Sequence, residues 1–436
     1  MSAAELQPVA LSPARSLSSN FAWTLVGNIV YSASQWAVIV ALARLGDAAA
    51  VGQYALAVAI VSPVMLLAGC ALRTVQATDT RTNFALADYL GLRIVALVGA
   101  FAVVVTLAWL GDFAPLTCAV IFAVGVVKAI ESLSDLLHGA LQQREQMDAI
   151  GKSLLLRGVL ACLLSVAVIY WARQTWPDAM SLAAAIAVGI ASAVVLLACD
   201  ARWVRQAGST KLTPRFDPAT LAQLAWLTLP LGFTVLLSSL TANLPRYVIE
   251  DVHSDVELGI FAALAYLALL GNLVATALAN AALPRLSKYW ATGNVVSFQW
   301  LLVKLLAIGA LLGVTAIAVA HFAGVAAVSF AYGPQYANHN DAFVVLVISM
   351  ALGFLVCFLD HALYAARRFR VQVPLNVVAL AIIAATSFAW IPHYGLLGAA
   401  WAVCSTMAVQ LLARCFVVGQ LVSSRNLRDS AERARS

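Results

Sequence analysis

The chain has 436 residues, 63% of them apolar and 11% charged, with a formal net charge of +6. A soluble globular protein carries about 45–50% apolar and about 25% charged residues, so this chain cannot clothe a water-facing surface and lipid must be its main solvent. The positive charge does not point to nucleic acid, because the basic residues sit in short connections beside apolar runs, where they act as topology signals.

The bilayer core offers no water to backbone N–H and C=O groups, so only helices or a closed barrel can span it. A barrel would show short segments of alternating character. The runs here are continuous, rich in Ala, Leu and Val, and close to the ~20 residues a helix needs to cross ~30 Å of hydrocarbon. The first starts at Phe21 and reaches Leu42; it is longer than the ~7–15-residue core of a cleaved signal peptide and is expected to be a permanent span. In chain order the predicted spans cover 21–43, 51–72, 89–110, 115–137, 154–172, 179–199, 221–244, 258–282, 301–323, 342–364, 373–391 and 395–413. The fold expected is all-α and polytopic, with about twelve transmembrane helices. The longest connection divides the chain into an N-terminal six-helix half (1–200), a central cytoplasmic loop (201–220) and a C-terminal six-helix half (221–436) with a short basic cytoplasmic tail.

Orientation follows from the Lys and Arg positions. With the N-terminus inside and the spans alternating, all of the 26 Lys and Arg residues fall on the inner side except Arg44, Arg173, Arg246 and the mid-span Lys128. One missed helix would scramble that bias, so both termini are expected in the cytoplasm.

The halves look related. Asp47-Ala-Ala-Ala-Val-Gly52-Gln-Tyr54 follows the first span, and Asp255-Val-Glu-Leu-Gly259-Ile-Phe261 follows the seventh. Both place a Gly and then an aromatic residue at the start of an even-numbered span, and these spans end at Arg73 and Arg285. A weaker echo links His138-Gly-Ala-Leu141 with Asp360-His-Ala-Leu363. Two halves of the same orientation form a parallel repeat, a plan shared by many transporters.

No catalytic constellation stands out. There is no Walker loop, no GxSxG elbow and no HExxH, and the six histidines make no metal-spaced pair. The seven cysteines each lie in an apolar stretch without a CxxC pair, as small buried residues do. A membrane glycan polymerase or ligase would need a large outer loop, and none is present. No enzymatic activity, cofactor or metal site is expected.

Charge inside the membrane is costly and therefore informative. Lys128, Glu131 and Asp135 fall within an arc of about 60° on one face of the fourth span. Lys128 and Glu131 can pair. The stripe is either the wall of a translocation path, with Glu131 and Asp135 as ion-coupling candidates, or a structural ion pair with Lys128 snorkelling to water. Arg44 and Arg246 end the first span of each half on the outer side, where they suit an anionic head group or pair with Asp47 and Glu250. Arg73 and Arg285 could meet phosphate at the inner entrance, or serve only topology. Asn28, Tyr31 and Gln35 share a face of span one, and Ser238, Ser239, Thr241 and Asn243 make span seven polar. Such faces fit a hydrophilic cleft between the halves, and helix–helix hydrogen bonding fits them about as well.

Four stretches carry a resemblance. They are Asn20-Phe-Ala-Trp23-Thr-Leu-Val-Gly27-Asn28 with Val51-Gly52-Gln-Tyr54; Asn243-Leu-Pro-Arg246 with Glu257-Leu-Gly259-Ile-Phe261 and Leu283-Pro284-Arg285-Leu286; Phe330-Ala-Tyr332-Gly333-Pro-Gln-Tyr336; and Ile391-Pro392-His-Tyr394-Gly395-Leu-Leu-Gly398. In this order the chain resembles the polysaccharide-exporting, Wzx-type flippases of the multidrug/oligosaccharidyl-lipid/polysaccharide (MOP) exporter superfamily. The resemblance implies a MATE-like fold in two pseudo-symmetric halves. It also implies alternating-access transfer of an undecaprenyl-pyrophosphate-linked oligosaccharide across the bacterial inner membrane for surface lipopolysaccharide or exopolysaccharide assembly. The partners implied are the lipid-linked oligosaccharide, membrane lipids, a coupling cation (H+ or Na+) and contact with polysaccharide polymerase machinery. The family's cavity is often cationic, and this chain complies only in part, because its mid-span Lys128 is accompanied by two acids. An ion-coupled multidrug exporter of the same superfamily is the alternative, and a glycan polymerase or ligase ranks below it.

Overall fold

The computed structural model describes residues 17–78, 84–208 and 212–433. Arg15, Arg81, Lys211 and Arg435, used above for topology, lie outside the described residues.

The chain is a bundle of long helices. They are α1 (Leu17–Leu45), α2 (Ala48–Gly69), α3 (Leu86–Leu110), α4 (Pro115–Gln143), α5 (Met147–Thr175), α6 (Pro177–Gln206), α7 (Pro218–Val252), α8 (Asp255–Ala291), α9 (Val295–Tyr332) and α10 (Asn340–Ala365). A last helical run covers Gln372–Arg433. Among the described residues, eleven stretches are long and apolar enough to cross a membrane, and the last of them is two helices. Gly395 breaks it with φ 54° and ψ −133°, a conformation open to glycine. A Cβ on Gly398 would lie 2.4 Å from the Trp390 carbonyl oxygen, whereas eight residues of straight helix would separate them by about 12 Å. The chain therefore doubles back, giving α11 (372–394) and α12 (395–433). The protein is a multi-pass, all-helical membrane protein of about twelve spans, as its hydropathy pattern predicts.

Local chemistry sets the helix starts. The Asp47 carboxylate accepts from Ala50 N at 2.8 Å, the Ser254 hydroxyl accepts from Glu257 N, and Asp217 accepts from Thr220 N at 3.0 Å. Each caps orphan amides of the first turn. The Thr220 hydroxyl and amide together hold the Asp217 carboxyl below its ordinary value. Pro115 and Pro218 open their helices, where the missing N–H costs nothing. Past Gly69 the chain turns through Cys70 and Ala71, both left-handed at φ 47° and 48°, and resumes as a short helix over Leu72–Thr78. Asp200 lies at the end of a π turn that carries α6 on to Gln206.

Two groups of helices result. In the first, α1 lies along α5, and α4 packs on α2, α3 and α6. In the second, α7 lies along the α11–α12 run, and α10 packs on α8, α9 and that run. The groups meet where α2 crosses α8 and α7. At the α2–α8 crossing two glycines face each other. A Cβ on Gly52 would fall 1.9 Å from the Asp255 carbonyl oxygen, and one on Gly259 would fall 1.8 Å from that of Ala48. Small residues of this kind let backbones touch in a bilayer, where packing rather than water exclusion drives association. The outer belt is apolar and bare: Trp109, Trp226, Phe322 and Phe330 are each more than 80% exposed, which fits lipid contact.

Candidate functional site

Among the described residues, two adjoining cavities inside the bundle share Ser62 of α2 and Val235 of α7. The first, about 430 Å³, is lined by Asn28 and Tyr31 of α1, Arg93 of α3, Lys128, Glu131, Ser132, Asp135 and His138 of α4, and Arg157 of α5, with Arg73 at its rim. The second, about 810 Å³, is lined by Thr234, Ser238, Thr241, Asn243 and Arg246 of α7, Tyr266 and Asn272 of α8, Asp360 and Tyr364 of α10, Gln372 and Asn376 of α11, and Gln410 and Arg414 of α12.

The first cavity is ionic. Lys128 Nζ lies 2.9 Å from Glu131 Oε2, and the Tyr31 hydroxyl donates to Glu131 Oε1 at 2.8 Å. Arg73 Nη1 meets Asp135 Oδ1 at 3.0 Å, while its Nε donates to Gln142 Oε1 at 3.1 Å. Behind these sits a fully buried network. Asp200 accepts from Arg157 at 3.2 Å, contacts His138 Nε2 at 3.3 Å and accepts from the Ser134 hydroxyl. Burial of this kind requires such pairing, because an unmatched charge would cost several kcal/mol. The network joins α4, α5 and the end of α6 and braces the cavity wall.

The second cavity is mostly apolar, with polar groups set among its apolar side chains. Arg414 Nε donates to Asp360 Oδ1 at 2.6 Å, and Gln372 Nε2 donates to the same oxygen at 2.9 Å. At the far end Arg246 Nη1 donates to Asn243 Oδ1 at 2.6 Å. The lining between is amide, hydroxyl and tyrosine groups amid apolar side chains. Amides and hydroxyls both donate and accept, the chemistry that sugar hydroxyls demand.

Of the residues singled out from sequence, Asn28, Tyr31, Arg73, Lys128, Glu131 and Asp135 line the first cavity, and Asn243 and Arg246 line the second. Arg44, Arg285 and Gln35 line neither. Gln35 is half-buried and Arg285 exposed. Arg44 reaches across to α9, donating to the carbonyls of Ala331 at 3.0 Å, Ser329 at 2.9 Å and Phe330. Close by, Trp36 Nε1 donates to the Tyr332 hydroxyl at 2.7 Å. With the Gly52–Gly259 crossing, these contacts bind the two groups together at the end opposite Arg73. From sequence alone, Arg93, Arg157 and Arg414 stand only as topology residues. Arg93 and Arg157 lie within predicted spans, and an evenly applied rule on intramembrane charge would have picked them out together with Asp360.

No family model matches the chain. It is 27% identical over 399 residues to a capsular polysaccharide biosynthesis protein, CapF, of Staphylococcus aureus, covering 90% of this chain and 97% of that one. It superposes on an inward-facing multidrug resistance MATE family transporter of the MOP superfamily with a TM-score of 0.72 at 14% identity, covering 91% of this chain and 95% of that one. The lipid II flippase MurJ, in an inward closed conformation, also gives 0.72 at 9% identity, over 91% of this chain and 87% of that one. The chain thus has the fold of MOP superfamily transporters, and its sequence resembles that of a polysaccharide biosynthesis protein.

Proposed function

We propose that the protein is a flippase that carries an undecaprenyl-pyrophosphate-linked oligosaccharide from the cytoplasmic to the periplasmic leaflet of the bacterial inner membrane for surface polysaccharide assembly. The observation that carries this reading is the pair of adjoining cavities of unlike chemistry. One is compact and ionic, suited to a diphosphate beside Arg73 and Arg93. The other is larger and sets amides and hydroxyls among apolar side chains, suited to sugars, which present both hydroxyls and C–H faces. The CapF relative and the transporter fold support it.

In this reading the basic end faces the cytoplasm, both termini lie there, and residues 1–200 and 221–436 act as two halves about the 201–220 connection. The head group enters from the basic end, the prenyl chain stays in lipid, and the Gly52–Gly259 end holds the path shut until the halves rock. Transfer between leaflets makes and breaks no covalent bond, so no enzymatic activity is proposed. A coupling cation, H+ or Na+, would have to compete with Lys128 for Glu131 or with Arg73 for Asp135.

The test is deletion of the gene. Loss of surface polymer with lipid-linked repeat units held on the cytoplasmic side is expected, reversed by the wild-type chain. Unchanged polymer with raised sensitivity to cationic drugs would replace the flippase by a multidrug exporter.

A further inference from the structure

A cation buried in a membrane protein needs a counter-charge, since desolvation of an unpaired ion costs several kcal/mol. Around the two cavities that pairing is nearly complete. Arg73 has Asp135, Lys128 has Glu131, Arg157 has Asp200 and Arg414 has Asp360. Among the described cavity residues, two guanidiniums make no ion pair, one in each cavity.

Arg93 is 2% exposed and donates only to the Ser132 hydroxyl, at 2.6 Å. It sits in the ionic cavity, among the groups assigned above to the diphosphate. Arg246 is 8% exposed and stands in the other cavity. Asn243 Oδ1 holds its Nη1 at 2.6 Å, and the Tyr266 ring lies 5.5 Å from its guanidinium carbon. Its Nε has no partner. Two neutral neighbours therefore fix the plane of the guanidinium and leave its charge unmatched. Cation–π contact with Tyr266 contributes on the order of 2 kcal/mol in a desolvated site, but a neutral ring supplies no counter-charge. Glu250, one turn along α7, is not paired with it. The surroundings are those of the sugar cavity, with Thr241, Asn272 and Ser349 nearby.

We infer that Arg246 receives an oxyanion carried by the substrate's glycan, so that the transported repeat unit contains an acidic sugar such as a uronic acid. The inference rests on the flippase reading and narrows its substrate. The guanidinium fork meets a carboxylate with two parallel N–H···O bonds. The same fork would also accept a phosphate oxygen, so the glycan carboxylate and the lipid diphosphate are the two sources to separate. Arg93 and Arg246 line different cavities, which favours two anions at separate places on one substrate.

The experiment uses the purified full-length chain in lipid nanodiscs and three probes. They are a disaccharide ending in glucuronic acid, its glucose counterpart and farnesyl diphosphate, and binding is read by calorimetry. The acidic disaccharide is expected to bind at least about tenfold more tightly than the neutral one, the scale of one charge-assisted hydrogen-bonded contact. R246Q should abolish that preference, and R246K should keep part of it. Farnesyl diphosphate should bind R246Q as it binds wild type and lose affinity for R93Q. Equal binding of the two disaccharides by wild type overturns the inference, and needs no variant that folds. Loss of farnesyl diphosphate binding in R246Q, with the disaccharide preference intact, also overturns it by making Arg246 a phosphate site. The deletion phenotype is a separate measurement, so failure of the flippase reading and failure of this inference are distinguishable.

Discussion

Glu131 shows how much a single intramembrane carboxylate depends on its neighbours. Its side chain is 12% exposed and held by Lys128 and the Tyr31 hydroxyl. Removing Lys128 leaves the carboxylate with one neutral donor, and breaking a buried pair in this way costs about 3–5 kcal/mol. Lys128→Ala is therefore expected to lower the melting temperature of the purified protein markedly. The double variant Lys128→Met, Glu131→Gln removes both charges and should recover most of that loss. The same double variant separates structure from coupling. A stable double variant that still restores surface polymer shows that the pair braces the helix and nothing more, which sinks Glu131 as a coupling site. A stable double variant that fails to restore polymer keeps it.

At the scale of helices, α2 and α8 share a feature written in the sequence: a glycine shortly after an aspartate at the head of each, Gly52 five residues after Asp47 and Gly259 four after Asp255. The geometry gives those glycines a common purpose, since each would drive a Cβ into the other helix's backbone within 2 Å. Overpacking of this kind costs about 1–3 kcal/mol, and here the strain can be relieved by parting the helices. Gly52→Ala is expected to open that end. A cysteine at Ala55, which is fully buried, in a chain lacking its native cysteines, should then react faster with a membrane-impermeant thiol reagent. Unchanged reactivity in a correctly folded Gly52→Ala protein would show that the crossing does not govern access.

The same scale shows what was legible in sequence. Helix number and type follow from long apolar runs, because a bilayer leaves the backbone no other way to satisfy itself. The turn at Gly395 was legible too, from the Pro and Gly that break an apolar stretch. The buried Asp200–Arg157–His138 network was not, since its members come from three helices and each alone passes for a topology residue or a span end. Nor was the attachment of Arg44 to the carbonyls closing α9. That contact joins residues nearly 290 positions apart, and no local pattern encodes it.

The whole molecule is held in one state by contacts at one end. Arg44 ties α1 to the last carbonyls of α9, Trp36 ties it to Tyr332, the Tyr247 hydroxyl of α7 donates to the Ala59 carbonyl of α2, and α2 crosses α8 at the glycines. All four bridge the same two helix groups, so a rocking motion that opens this end must break them together. Each is modest: the neutral bonds of Trp36 and Tyr247 contribute about 0.5–1.5 kcal/mol net, and a bond from the charged Arg44 about 1.5–3 kcal/mol. A set of such bonds suits a gate whose two states differ by only a few kcal/mol. Cysteines replacing Trp36 and Tyr332, joined by a short reducible cross-linker, should therefore abolish transport, and reduction should restore it. The bond spans α1 and α9 at the closed end and touches neither cavity, so its effect is on motion rather than on binding. Full polymer production by the cross-linked protein would mean that substrate crosses without that end opening, and the alternating-access mechanism would have to be abandoned. Loss that reduction reverses would place the barrier between the two helix groups.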